Sequence, residues 1–272
     1  MSGYLSRAQQ ENIRVYREYY SKFAREYEER TKEEAKIIAE TMTKWIILDN
    51  LKILDFGVGT GSVWEQLYLK GISGISVVGL DVAIGMLKMA KEKGIPWLQV
   101  IEKQVEDSDY TNSFDIVCAH GLLKHCADPS VIVKKAHMAL VDDGQFFVED
   151  LSFEDDVLKI MWALTQQIRD YLKPGKRKTS FRLKDDKLLQ IIESVGFEKQ
   201  RYKKVVYSLS FNSFEHIRDF FIKETMFGLY TYKTVPLKHR KQCDTTFLQT
   251  IRDELEKPVL QRRTFISLFK KI

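Results

Sequence analysis

Apolar and polar positions change rhythm several times along the 272-residue chain. From residue 8 to 49, Ile37, Ile38, Met42, Trp45 and Ile46 fall at helical spacing among few breakers, which predicts a helical lead-in. Short apolar runs and helical stretches then alternate. The predicted strands are "KILDF" (52–56), "ISVVGLD" (75–81), "PWLQVI" (96–101) and "FDIVCAH" (114–120). The predicted helices are "SVWEQLYLKG" (62–71) and "AIGMLKMAKEKG" (83–94). "PSVIVKKAHMALVDDG" (129–144) reads as a helix closed by a turn, leading into a fifth strand, "QFFVEDL" (145–151). Buried strands alternating with helices predict a mainly parallel sheet covered on both faces. Right-handed crossovers make it doubly wound.

Beyond residue 151 the rhythm is different. A helical insertion over 152–180 precedes a helix in "FRLKDDKLLQIIESVGF" (181–197) and a strand in "YKKVVYSLSF" (202–211). The last strand is "RRTFISLFKKI" (262–272), completing seven. The roughly 50 residues between these two strands are far too many for a hairpin loop. They predict a helical lid over 212–261. The organisation expected is therefore a lead-in (1–50), a ligand-binding core (51–151), an insertion (152–180), a core continuation (181–211), a lid (212–261) and a final core strand (262–272).

Composition narrows the class. With 44% hydrophobic residues the chain can bury a sizeable core, and no apolar run reaches the roughly 18–20 residues of a membrane span. The polar start "MSGYLSRAQQENIRVYREYYSK" lacks a signal-peptide core. Three cysteines without CxxC spacing are too few for a disulfide framework, so a cytoplasmic location is expected. No metal-ligand cluster is visible. The net charge of +5 is mild. Basic clusters at 173–178, 199–204 and 237–241 read either as solvated loops and helix ends or as a surface for an acidic partner.

The chemistry concentrates after the first strand. Gly57, Gly59 and Gly61 tolerate positive φ and leave no Cβ against a ligand. The dinucleotide fingerprint needs GxGxxG, and the position of its last glycine holds Ser62. No lysine follows as in a Walker loop, so a phosphate loop is disfavoured. Asp81 ends the second strand, where a carboxylate either accepts the two hydroxyls of a ribose or caps the following helix.

In this order the residues resemble the class I S-adenosylmethionine-dependent methyltransferases. The match runs through "LDFGVGTG", "VVGLDVAIGMLKMAKEKG", "VIEKQVEDSDYTNSFDIV" and "AHGLLKHCADPSVIVKKAHMALVDDGQFFVEDL", about residues 52–151. "YYSKFAREYEE" (19–29) is similar to the lead-in helix of the small-molecule branch. The resemblance implies S-adenosyl-L-methionine as cofactor, with S-adenosyl-L-homocysteine as product. It implies that Asp55, Gly57, Gly59 and Gly61 surround the methionine part and that Asp81 binds the ribose. Val82 and Met86 would lie against the adenine, and Gln104, Val105 and Glu106 along its edge. His120 would stand near the transferred methyl, and Tyr20 and Tyr27 would help close the pocket. The chain departs from the usual pattern with Gln104 where relatives often have Asp, and with Lys103 before it in place of Gly.

An activated methyl needs an aligned acceptor more than a strong base. A hydroxyl acceptor gains from a general base, and His120 is the candidate. His125 reads as a packing or local capping residue. The aromatics Phe211, Phe214, Phe220, Phe221, Phe227, Tyr230 and Tyr232 either line an acceptor pocket or pack the insertion. "AHGL" after the fourth strand differs from the Asn/Asp-Pro-Pro-aromatic motif of enzymes acting on base amines, so a nucleic-acid target is not expected. The expected activity is methyl transfer to O or N of a small metabolite or natural product. The alternatives are a peptide or protein acceptor, a non-catalytic protein that keeps the fold, and a nicotinamide-dependent oxidoreductase, the last disfavoured by GxGxG.

Overall fold

Alternate burial of the apolar runs builds one seven-stranded sheet, seen in a computed structural model that describes residues 7–172 and 183–272. In chain order the elements of its first half are α1 (Arg7–Lys22), α2 (Ala24–Trp45), β1 (Lys52–Phe56), α3 (Ser62–Leu69), β2 (Ser76–Asp81), α4 (Ile84–Glu92), β3 (Leu98–Glu102) and β4 (Phe114–His120). There follow α5 (Pro129–Ala139), β5 (Leu140–Leu151), α6 (Asp156–Gln167), α7 (Asp185–Ser194), β6 (Phe197–Ser210), α8 (Phe214–Asp219), α9 (Leu237–Glu254) and β7 (Val259–Lys271). The strand order is β3-β2-β1-β4-β5-β7-β6. The first five strands run parallel, and β7 pairs antiparallel with β5. This is the doubly wound, mainly parallel sheet expected. Its order reverses between β1 and β4, and ligands of such sheets sit at that reversal, beyond the carboxyl ends of the strands.

The chain divides into two compact units. Among the described residues the first holds 7–151, 183–205 and 264–272. One face of its sheet buries Ile53, Ile116 and Phe147 against Ile38, Ala39 and Met42 of α2 and Trp64 of α3. The other buries Leu54, Phe56 and Phe146 against Ile132 and Val133 of α5 and Leu188 of α7. Both faces are thus apolar, which is why the strands read as continuous hydrophobic runs.

The second unit holds 152–172 and 206–263 and has its own core of Ile160, Phe221, Phe227, Phe247 and Ile251. Phe220 and Tyr232 are also buried in it, and Phe211 and Phe214 pack against it, so these aromatics are core residues of the unit. Asp155 caps α6 through the Val157 N–H (3.0 Å) and, fully buried, binds Arg262 at 2.8 Å. The expected insertion's residues 173–180 and the basic stretch 173–178 lie outside the described residues.

Beyond shifts of two or three residues at other ends, as in β7, which starts at Val259, four differences from the sequence expectation are larger. The lead-in is two helices that break at Phe23, whose non-helical ψ of 27° turns the chain so that Tyr20 and Tyr27 meet edge to face at 5.3 Å. β5 begins at Leu140 and not at 145, because "VDDG" is a bulge within the strand. While β4 advances from Phe114 to Ile116, β5 advances from Leu140 to Gln145, with Asp143 at φ 62°. α7 covers only Asp185–Ser194 of the helix expected over 181–197, and β6 starts five residues early, at Phe197. Of the added residues only Phe197 is buried; the next four are exposed and polar, so they carry no apolar alternation to read.

Candidate functional site

β1 delivers the chain into a tight loop over the end of β2. Gly57, Gly59 and Gly61 adopt φ of 76°, 56° and 73°, values that a side chain rarely allows. The Gly57 and Val58 N–H groups both donate to the Leu80 carbonyl, at 2.8 and 3.0 Å. Gly79 in β2 makes room for this crossing: a Cβ there would stand 2.6 Å from Val58 Cγ2. Gly61 serves packing, since its Cβ would press on Ala90 at 3.2 Å.

Asp81 joins the loop to the next element. Its Oδ2 accepts from the Gly59 N–H (2.9 Å) and its Oδ1 from the Ala83 N–H (2.8 Å). The Val82 amide adds a third such bond. Burial raises its pKa, partly opposed by these amides.

A cavity opens over this loop. Tyr20, Tyr27, Gly57, Gly59, Asp81 and Val82 line it, and so do Met86, Gln104, Val105, Glu106 and His120. Eleven of the thirteen residues expected at the site therefore meet in one place. The exceptions are Gly61, already described, and Asp55, which lies beneath the floor. Asp55 is 1% exposed, accepts from the Trp64 indole N–H at 2.6 Å, and keeps Oδ1 without a hydrogen-bond partner among the described residues. Burial pushes its pKa up to about 7, with the neighbouring Asp81 charge adding to the rise against the Trp64 bond.

His120 ends β4, with Nδ1 3.9 Å from Asp55 Oδ1 and Nε2 buried without a partner among the described residues. Burial drives its pKa down to about 3, so the imidazole is neutral at pH 7 and the contact with Asp55 is no ion pair. Gln104 Oε1 is likewise buried without a partner.

The cavity also takes residues outside the thirteen expected at the site, among them His125, expected only to pack or cap locally. Ile13 and Tyr16 come from α1, and Leu122, His125 and Cys126 from the loop after β4. His125 packs edge-on to Tyr16 at 5.2 Å and Tyr20 at 6.0 Å, and burial lowers its pKa to about 4. Their one sequence signal was the aromatic run at 16–20. Among the described residues no group of three or more His, Cys, Asp or Glu side chains could hold a metal. No described helix is long and apolar enough to cross a membrane.

Residues 54–148 match the family model of a methyltransferase domain, a span that holds the glycine loop, Asp81, Gln104 and His120. The chain carries a methyltransferase domain. The chain is 27% identical over 221 residues to an uncharacterized protein of Methanocaldococcus jannaschii, covering 80% of this chain and 78% of that one. It is 25% identical over 170 residues to the mitochondrial ubiquinone biosynthesis O-methyltransferase of Bos taurus. That match spans 59% of this chain and under half, 45%, of the bovine protein. The fold is that of an S-adenosylmethionine-dependent methyltransferase from Thermotoga maritima, with a TM-score of 0.55 at 16% identity over 94% of this chain and 99% of that one.

S-adenosylmethionine is the cofactor of such methyltransferase domains, and the residues present fit it. Asp81 would turn its carboxylate oxygens to ribose hydroxyls. The unpartnered Gln104 Oε1 suits an amino group on the adenine edge, with Val82, Met86 and Leu122 as apolar walls. The glycine loop leaves backbone exposed for the methionine portion.

Proposed function

We propose that the protein transfers a methyl group from S-adenosylmethionine to an oxygen or nitrogen of a small-molecule acceptor. The observation that carries this reading is the position of Asp81, held by the Gly59 amide and lining the same cavity as Gln104 and His120. The bovine relative, by its name an O-methyltransferase, supports the choice of a small acceptor. The cofactor supplies a methyl group already activated on a sulfonium.

The chain's own residues then bind, orient and exclude water. Asp81 and Gln104 fix the nucleoside at its two ends, so the reacting carbon is set by the glycine loop between them. Tyr20 and Tyr27 keep water out of the buried end, which strengthens electrostatic interactions there. His120 is neutral across the physiological range and offers Nε2 to the proton of an acceptor hydroxyl. With a pKa of about 3 it takes that proton only as the oxygen gains positive character. An amine acceptor needs no such help.

Thermal melts with S-adenosylmethionine, S-adenosylhomocysteine and NAD test this reading. A ligand at 100 times its Kd adds about 2.7 kcal/mol of stability. The two sulfur nucleosides are expected to raise Tm and NAD is not. Asp81→Ala should melt cooperatively yet lose the shift; a variant that responds like the wild type would overturn the assignment.

A further inference from the structure

The glycine loop is backed by a cluster of charges that the transfer reaction leaves unused. Lys93, at the end of α4, donates to Glu28 of α2 at 2.5 Å and to Glu65 of α3 at 2.6 Å. Its side chain is 10% exposed and that of Glu28 19%. Ser62, the first residue of α3, donates its hydroxyl to the same Glu28 oxygen at 2.8 Å and meets the Thr60 hydroxyl at 2.7 Å. Two carboxylates share one ammonium, so the cluster carries one net negative charge at the start of α3.

That place matters for specificity. The amides at the start of the helix after β1 are where glycine-loop folds bind a pyrophosphate. Here Ser62 stands where the dinucleotide fingerprint has its third glycine, and its hydroxyl brings a carboxylate to those amides. S-adenosylmethionine carries a net positive charge, whereas NAD and ADP bring phosphate charge to this point. We propose that Glu28, held by Ser62 and Lys93, is a specificity-determining residue that excludes phosphate-bearing nucleotides from the cavity and favours the cationic cofactor.

The inference rests on the cofactor reading above and is tested apart from it. In Glu28→Gln, Lys93 keeps Glu65, so no buried charge is stranded. Calorimetry would compare ADP, NAD, S-adenosylhomocysteine and S-adenosylmethionine on wild type, Glu28→Gln and Glu28→Asp. Removing this charge from the first turn of α3 is expected to tighten ADP and NAD about tenfold or more. S-adenosylhomocysteine should change by less than about threefold, below 1 kcal/mol, and S-adenosylmethionine should weaken relative to it. Glu28→Asp keeps the charge and should exclude ADP as the wild type does.

ADP and NAD as weak on Glu28→Gln as on wild type, with S-adenosylhomocysteine bound by both, would overturn the proposal alone. So would Glu28→Asp admitting ADP as well as Glu28→Gln does. A wild type that binds neither sulfur nucleoside would overturn the cofactor reading and this inference together.

Discussion

Asp55 Oδ1 and His120 Nδ1 stand 3.9 Å apart at the carboxyl ends of β1 and β4, the two strands between which the sheet order reverses. Burial drives both groups toward their neutral forms, the carboxyl to about 7 and the imidazole to about 3. Their linkage to stability has opposite signs. Native Asp55 holds its proton up to about pH 7 while the unfolded chain releases it near the ordinary 3.8, so stability falls as pH rises across that interval. Native His120 stays unprotonated down to about 3 while the unfolded chain charges below the ordinary 6.5, so stability falls as pH drops through that interval.

Urea titrations at pH 5 to 8 should separate the two. Asp55→Asn is expected to flatten the decline toward pH 7, by up to about 1.4 kcal/mol per pH unit. Its amide can still accept from Trp64. His120→Gln is expected to flatten the acid-side loss. An unchanged slope in Asp55→Asn would mean that Asp55 is ionised throughout.

The unpartnered Gln104 Oε1 lets binding be separated from folding. A buried polar atom without a partner costs stability, so Gln104→Leu should leave the ligand-free protein as stable as the wild type or up to about 1 kcal/mol more so. The same change should weaken S-adenosylhomocysteine by at least about tenfold, the worth of one good hydrogen bond. Chemical denaturation and calorimetry on one preparation would measure both.

Gly85 lets two helices touch through their backbones. A Cβ at this position would lie 2.1 Å from the Ser21 carbonyl oxygen, at the end of α1. Gly85→Ala must push α1 away, at a cost of about 1–3 kcal/mol. Because Tyr16 and Tyr20 of α1 line the cavity, cofactor affinity should fall with stability. Melting curves with and without S-adenosylhomocysteine would report both losses.

Lys124 is fully buried, with its ammonium on Asp185 (2.7 Å) and on the Leu151 carbonyl, while its backbone N–H donates to Asp150 at 2.9 Å. It ties the loop after β4 to the end of β5 and the start of α7. Lys124→Met strips a charge from this set and should cost about 3–5 kcal/mol in urea denaturation. A loss below 1 kcal/mol would mean that the carboxylates find water.

The parts of the fold that the sequence made legible are those where one residue type has one physical use. β1 and β4 are continuous apolar runs because both sheet faces are covered, and their limits coincide with those expected. Positive φ at Gly57, Gly59 and Gly61 likewise has few other readings. Pairings between distant segments left no such mark. Ile13 and Tyr16 reach the cavity from α1, with helix-face spacing that has no special mark, and His125 reaches it from the loop after β4, where it packs on Tyr16. Gly79 carries no mark in the sequence of the Val58 side chain that occupies its missing side chain's place. Nor does the sequence around Lys135 mark its bond to the Ser108 carbonyl behind the Gln104–Glu106 turn.

The position of β7 sets the order in which this sheet can be completed. It is the last strand in the sequence but lies inside the sheet, between β5 and β6. Until residues 259–271 have left the ribosome, β5 presents an open edge bearing Phe146, Phe147 and Val148, and β6 has no neighbour to join. The β5–β7 pairs span more than a hundred residues, Leu151 to Thr264 at the nearest, so they close the longest loop and should form late. A nascent chain is therefore exposed to edge-to-edge association from the completion of β5 until β7 emerges.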